Sequence, residues 1–238
     1  MISSHLVISA LLFVVAPPPS LASSYDCAKA ESKVEKLICD TPAISQKDNE
    51  MKATYATLLR KMPEEIKGAL TDAQNDWINQ RSRECETDQD MESCLLRSIQ
   101  NRQQELERLN NAKTGKWLKI TIQLPVDGMA YSTAVRHLIE EGKPLVVDQK
   151  FRPIRSVARG TDPIWESASA VARYILRNSQ DPEAHLSYVR VQNGVAHTKL
   201  DIDGWAGVGY TIGEVTPIVE KTLLQFPEIK RVTWDPRH

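Results

Sequence analysis

Apolar residues recur at helical spacing through the first half of the chain and alternate with polar ones through much of the second. Met51, Tyr55, Leu58, Leu59 and Met62 fall on one stripe, as do Ile66, Leu70, Ala73 and Trp77, and then Leu95, Ile99, Leu106 and Leu109, with Arg102 among them. This period predicts amphipathic helices over about Ile44–Met62, Pro63–Glu84 and Asp90–Asn111. A shorter helix is expected over Lys33–Cys39, because Ser32 followed three residues on by Glu35 forms a capping box. Pro63 stops one helix and fits the first turn of the next, where its missing N–H is not needed.

Beyond "NNAKTGK", Asn110–Lys116, the period changes to two. Trp117–Leu124 reads as a strand. Tyr188–Ile202 reads as a hairpin about Asn193-Gly194, a pair that tolerates the positive φ of a type I′ turn. Asp162-Pro163 supplies an N-cap and a first-turn proline for a helix to about Arg177. Thr216-Pro217 repeats that signal for a helix ending near Phe226, and Ile229–Trp234 closes as a strand. The expected fold is α+β overall: an all-α bundle, then an α+β part with helices on one face of a largely antiparallel sheet. The expected division is a leader over 1–22, a helical domain over 23–109, a linker over 110–116 and an α+β domain over 117–238.

The leader reading rests on an apolar run from Leu6 to Ala16, a proline break, and Ser20 and Ala22 at the spacing used by signal peptidases. Cleavage is expected after Ala22. The run is short for a membrane span, and no other candidate follows, so no span is expected in the mature chain. His5 is the only basic residue ahead of the run.

Export changes the meaning of the cysteines. Cys27, Cys39, Cys85 and Cys94 all lie in the helical half, and an even count in an exported chain reads as two disulfides. The local pairs Cys27–Cys39 and Cys85–Cys94 are preferred, since each would tie a helix end to its neighbour; crossed pairs satisfy the same count. Zinc is disfavoured because its ligands come in close pairs with about two to four residues between them, and no metal or other cofactor is expected.

Charge divides the chain as well. From Ser23 to Leu109 there are 13 Lys and Arg against 17 Asp and Glu, and from Asn110 to His238 there are 17 against 14. Neither imbalance, without a basic patch or a reading motif, suggests nucleic acid. The acidic excess is concentrated in "RECETDQDMESC", where Glu84, Glu86, Asp88, Asp90 and Glu92 alternate about two cysteines. A calcium loop would need glycine at its sixth position. Gln89 stands there in one register and Ser93 in the other. Two readings remain, a solvated interhelical turn with Asp88 or Asp90 as an N-cap, and a docking loop for a strongly basic protein.

Gln74, Trp77, Arg81 and Cys85 form one stripe of "QNDWINQRSREC". With "DCAKAESKVEKLIC", Asp48, Tyr55 and "CLLRSIQNRQQEL", they resemble the family named for the lysozyme inhibitor LprI, over about Tyr25 to Leu109. The resemblance implies an exported, disulfide-bonded helical domain of the bacterial envelope, and a lysozyme, itself basic in the c-type enzymes, as partner. The chain lacks the lipid-attachment cysteine of lipoprotein members, which favours a free periplasmic or secreted form. The second half is similar to GerMN-type domains, in "DPIWESASAVARYIL", "NGVAHTKLDIDGWAG" and "VEKTLLQFPEIKRVTW". That likeness implies a binding or scaffolding module and brings no catalytic residue.

Asp48, Arg81 and Arg102 are expected to form charge pairs between helices, because an inward-facing guanidinium requires a carboxylate. Trp77 is expected in the core. An enzyme finds little support: no G-x-S-x-G elbow accompanies His137, His185, His197 or His238. Asp201 and Asp203, two apart near His197, give the best acid–base candidates, although a strand end entering a glycine-rich turn explains them as well. "DGWAGVGY", with Gly204, Gly207 and Gly209, lacks the lysine of a phosphate loop. The expected function is a non-enzymatic envelope binding protein, with an envelope hydrolase using Asp201, Asp203 and His197, or an envelope scaffold, as the alternatives.

Overall fold

The computed structural model describes residues 27–145, 148–176, 184–202 and 208–235. The leader over 1–22, Asp203, Gly204, Gly207 and His238 lie outside the described residues. A 3-10 turn over Cys27–Lys29 precedes four helices: α1 (Lys33–Asp40), α2 (Pro42–Lys61), α3 (Glu64–Glu86) and α4 (Met91–Asn111). Then follow β1 (Lys116–Pro125), α5 (Gly128–Glu140), β2 (Phe151–Gly160), α6 (Pro163–Leu176), β3 (His185–Gln192), β4 (Val195–Asp201), α7 (Val208–Leu223) and β5 (Arg231–Trp234). The fold is α+β, as the change of period predicts.

Local chemistry sets the helix ends. Ser32 accepts from the Glu35 N–H and the Glu35 carboxylate accepts from the Ser32 N–H, the reciprocal capping box. Pro63 stands at the N-cap of α3 and makes no side-chain cap there. Val34, Ile38, Ile44, Met51, Leu58, Leu70, Leu95, Ile99, Leu106 and Leu109 bury the apolar stripes against one another. Cys27 is joined to Cys39 and Cys85 to Cys94.

The strands form two sheets: β1 and β2 pair antiparallel, and β3–β4–β5 form a second sheet in which β4 and β5 run parallel. At the β3–β4 turn Asn193 and Gly194 both take positive φ, +50° and +77°, the left-handed geometry that matches strand twist. Ile120, Ile122 and Leu124 face a core completed by α5, α6 and α7. On the other side of β2, Val157 packs into the helical core. Helices thus cover both faces of β1–β2, with α3 on the side that the one-face expectation leaves open. Asp76 and Asp72 of α3 also pair with Arg152 and Arg155 of β2, at 3.3 and 3.1 Å.

Two elements escape a reading by pattern, and one is misplaced by it. β2 contains Pro153, which normally argues against a strand. Its partner Gln123 sends its N–H outward to Thr222 Oγ1, 3.0 Å away. The two residues therefore form a non-hydrogen-bonded pair, and Pro153 lacks a donor only on the outer edge of β2. α5 opens on Asp127, whose carboxylate accepts from the Ala130 N–H at 2.9 Å.

α7 starts at Val208, well before Thr216-Pro217, so that pair is internal and does not open the helix. Pro217 deprives the preceding turn of a donor. The carbonyl left without its helical donor is that of Gly213, four residues back, and the Tyr131 hydroxyl of α5 lies 3.5 Å from it while donating more closely to the neighbouring Glu214 carbonyl at 2.9 Å. Burial pushes the Tyr131 phenol well above its usual range, which keeps it a donor.

Candidate functional site

The five acids of "RECETDQDMESC" lie where α3 passes into α4. Helix α3 ends on Glu86, and Thr87 takes up its last turn, donating to the carbonyls of Arg83 and Glu84. Asp88 accepts from the Asp90 N–H at 2.9 Å, and Asp90 caps α4 by accepting from the Ser93 N–H at 3.1 Å. Hydrogen bonds from Ser93 hold the Asp90 carboxyl below the usual carboxylate range. Beneath the turn, Cys85 and Cys94 are buried and bonded, with Cα atoms 5.5 Å apart. The bond fixes the last turn of α3 against the first turn of α4.

All five carboxylates are exposed. Glu84 accepts from Gln80 on its own helix at 2.7 Å. Among the described residues none of the five makes a salt bridge. Their charge is offered to solvent on a turn of fixed backbone. Asp88 and Asp90 are engaged in shaping the turn; Glu84, Glu86 and Glu92 are free of that duty.

The remaining residues of the motif lie inside the bundle. Arg81 and Asp48 are both fully buried, with Arg81 Nη1 donating to Asp48 Oδ1 at 3.2 Å. The guanidinium also lies over the Trp77 ring, 4.6 Å from its centroid, and Lys52 approaches Asp48 at 3.9 Å. Burial, the largest influence, holds the Lys52 amine below its usual range, with Asp48 opposing and Arg81 reinforcing. About two turns of α3 before Arg81, Gln74 accepts from Arg102 Nε at 2.9 Å and sends its amide to Met51 Sδ at 3.5 Å. Arg102 Nη1 reaches Glu105 at 2.8 Å, and Tyr55 donates to Thr71 Oγ1 at 3.3 Å. These polar residues clamp α2, α3 and α4 together from within. Arg102 thus corrects the expectation of a charge pair between helices: its carboxylate is Glu105 of the same helix, at i,i+3 spacing, and across to α3 it meets the neutral Gln74; neither Glu105 nor Thr71 was signalled by the sequence.

The C-terminal acid–base candidates are placed differently. Asp201 accepts from Ser187 and from Lys199, the latter at 3.1 Å, with His185 4.0 Å away. The Ser187 and Lys199 hydrogen bonds hold its carboxyl below the usual range, unlike a carboxyl tuned to take protons near neutral pH. His197 faces Thr233 Oγ1 at 3.1 Å. Among the described residues no group of three or more His, Cys, Asp and Glu is arranged to hold a metal ion, and no helix is long and apolar enough to cross a membrane.

No curated protein and no solved structure matches the chain. The disulfide-bonded helical region, residues 26–108, matches the model of the family described as lysozyme inhibitor LprI.

Proposed function

We propose that the chain is an exported, non-enzymatic binding protein of the bacterial cell envelope, periplasmic or secreted, whose helical domain inhibits a lysozyme through the α3–α4 turn. The observation that carries this reading is the set of five exposed carboxylates without salt bridges, on a turn closed by the buried Cys85–Cys94 bond. A fixed turn loses little conformational freedom on binding. Its acidic field would speed encounter with a basic enzyme and set its orientation. The family match over residues 26–108 supports the choice of partner, and the two disulfides support an oxidising compartment.

The triple variant E84K/E86K/E92K tests the docking surface, because it leaves the hydrogen bonds of Asp88 and Asp90 in place. Binding of a c-type lysozyme is measured by calorimetry at low and high salt. The wild-type chain binds, weakens as salt screens the turn, and loses at least about tenfold in affinity on charge reversal, about 1.4 kcal/mol. Equal binding by the reversed variant removes the turn from the interface.

A further inference from the structure

The β3–β4–β5 sheet turns one face to the core and the other outward. Along β4, Ala196, Thr198 and Leu200 are buried, and Ala196 and Leu200 join a core shared with α6 and α7. The alternate residues Val195, His197, Lys199 and Asp201 point to the other side. The register sets Tyr188 opposite Lys199, Arg190 opposite His197 and Arg231 beside Val195, so all of these share the outer face. Its acids are engaged: Asp201 accepts from Ser187 and Lys199, and Asp235 accepts from the Tyr188 hydroxyl. The Arg190 guanidinium lies over the Tyr188 ring, 4.7 Å from its centroid. Arg190 and Arg231 are exposed, and among the described residues neither makes a salt bridge.

Exposed guanidinium groups on a fixed sheet attract anions, and the chain itself carries a surface that complements them. Glu84, Glu86 and Glu92 stand exposed on the disulfide-closed α3–α4 turn. Within one copy the two surfaces do not pair: among the described residues no salt bridge joins them. We propose that a second copy of the chain docks its α3–α4 turn on the outer face of this sheet, setting Glu84, Glu86 and Glu92 against Arg190 and Arg231. Both surfaces have fixed backbone, so docking orders few residues. The contact joins unlike patches; made twice it closes a two-fold dimer, and made once it extends as a row of copies. Exposed ion pairs are each worth little, which places the association at high protein concentration and low salt. The inference concerns the same turn as the lysozyme reading but does not depend on it. A turn held by a second copy is withheld from a lysozyme.

Sedimentation equilibrium of the full-length mature chain, without lysozyme, tests the proposal. Wild type self-associates at about 10 mM salt, where charges act over about 30 Å, and is monomeric at about 1 M, where they act over about 3 Å. R190E/R231E and E84K/E86K/E92K each self-associate at least about tenfold more weakly, because like charges now face one another. Mixed in equal amounts, the two variants associate with each other, since the reversed turn of one meets the reversed sheet face of the other. The proposal is overturned by a wild-type chain that stays monomeric at low salt up to about 1 mM, the weak end of specific affinities. It is equally overturned if either variant associates like wild type, or if the mixture associates no more than its components. A monomeric chain that binds phosphatidylglycerol vesicles through Arg190 and Arg231 gives the face to an anionic membrane and overturns it too.

Discussion

Replacing Asp48 by alanine tests whether the buried polar stripe holds the helical bundle together. The substitution removes the carboxylate hydrogen-bonded to Arg81 at 3.2 Å, between side chains that are each only 1% exposed. With charge centres about 4 Å apart and an effective dielectric constant of about 20, the lost attraction is about 4 kcal/mol. Breaking one side of a buried pair costs about 3–5 kcal/mol in general. Lys52, 3.9 Å from Asp48, would then face Arg81 with no carboxylate between them, so the upper part of that range is expected. With a urea dependence of about 2 kcal/mol per molar, the midpoint of the helical transition falls by about 2 M. The double variant D48L/R81M removes both charges and should recover most of the loss, because an apolar pair of similar volume is often neutral or better. Urea unfolding followed by far-ultraviolet circular dichroism measures both. A D48A loss under about 1 kcal/mol, or a double variant no more stable than D48A, would refute the reasoning.

Two further predictions concern helix ends. Ser32→Ala removes one half of the capping box and should cost about 1 kcal/mol at neutral pH in the same assay. Hydrogen bonds from the Ser32 and Glu31 backbone hold Glu35 below its usual range. Its contribution is therefore present above the unfolded-state pKa, near 4.5, and is lost as pH falls through the lower folded-state value. Glu35→Gln should flatten that part of the stability profile; an unchanged profile contradicts the assignment. Cys85→Ser with Cys94→Ser opens a bridge of sequence separation 9, for which loop closure gives about 2.6 kcal/mol. Inhibition should weaken more than helix content falls, as read by lysozyme titration and circular dichroism together.

The helical half was largely legible because its determinants are local: the stripe through Leu58 and Leu70, the Ser32–Glu35 box, and prolines at helix starts. The inward Arg81 was legible too, since it sits on an apolar stripe where a charge must be paired; Arg102 was legible only in part, because its carboxylate partner Glu105 lies on its own helix and across the bundle it meets the neutral Gln74. β2 was not, because the tolerance of Pro153 depends on Gln123 turning its N–H toward Thr222 on α7, a tertiary contact 99 residues away in sequence. The start of α7 was misread at Pro217 for a similar reason. The Gly213 carbonyl that Pro217 leaves without a helical donor is met by Tyr131, 82 residues upstream. Of the candidate site, the turn and its exposed acids could be read in advance, but which acids shape the backbone and which remain for a partner required the geometry.

The central claim is that the chain restrains a lysozyme through the turn from Glu84 to Glu92. Its most direct test is the rate of peptidoglycan lysis by a c-type lysozyme during titration with the full-length mature chain, run beside E84K/E86K/E92K. The account predicts a progressive fall in rate that saturates near equimolar chain and is lost in the triple variant. Undiminished lysis by c-type, g-type and phage lysozymes at a large molar excess of the wild-type chain would contradict it.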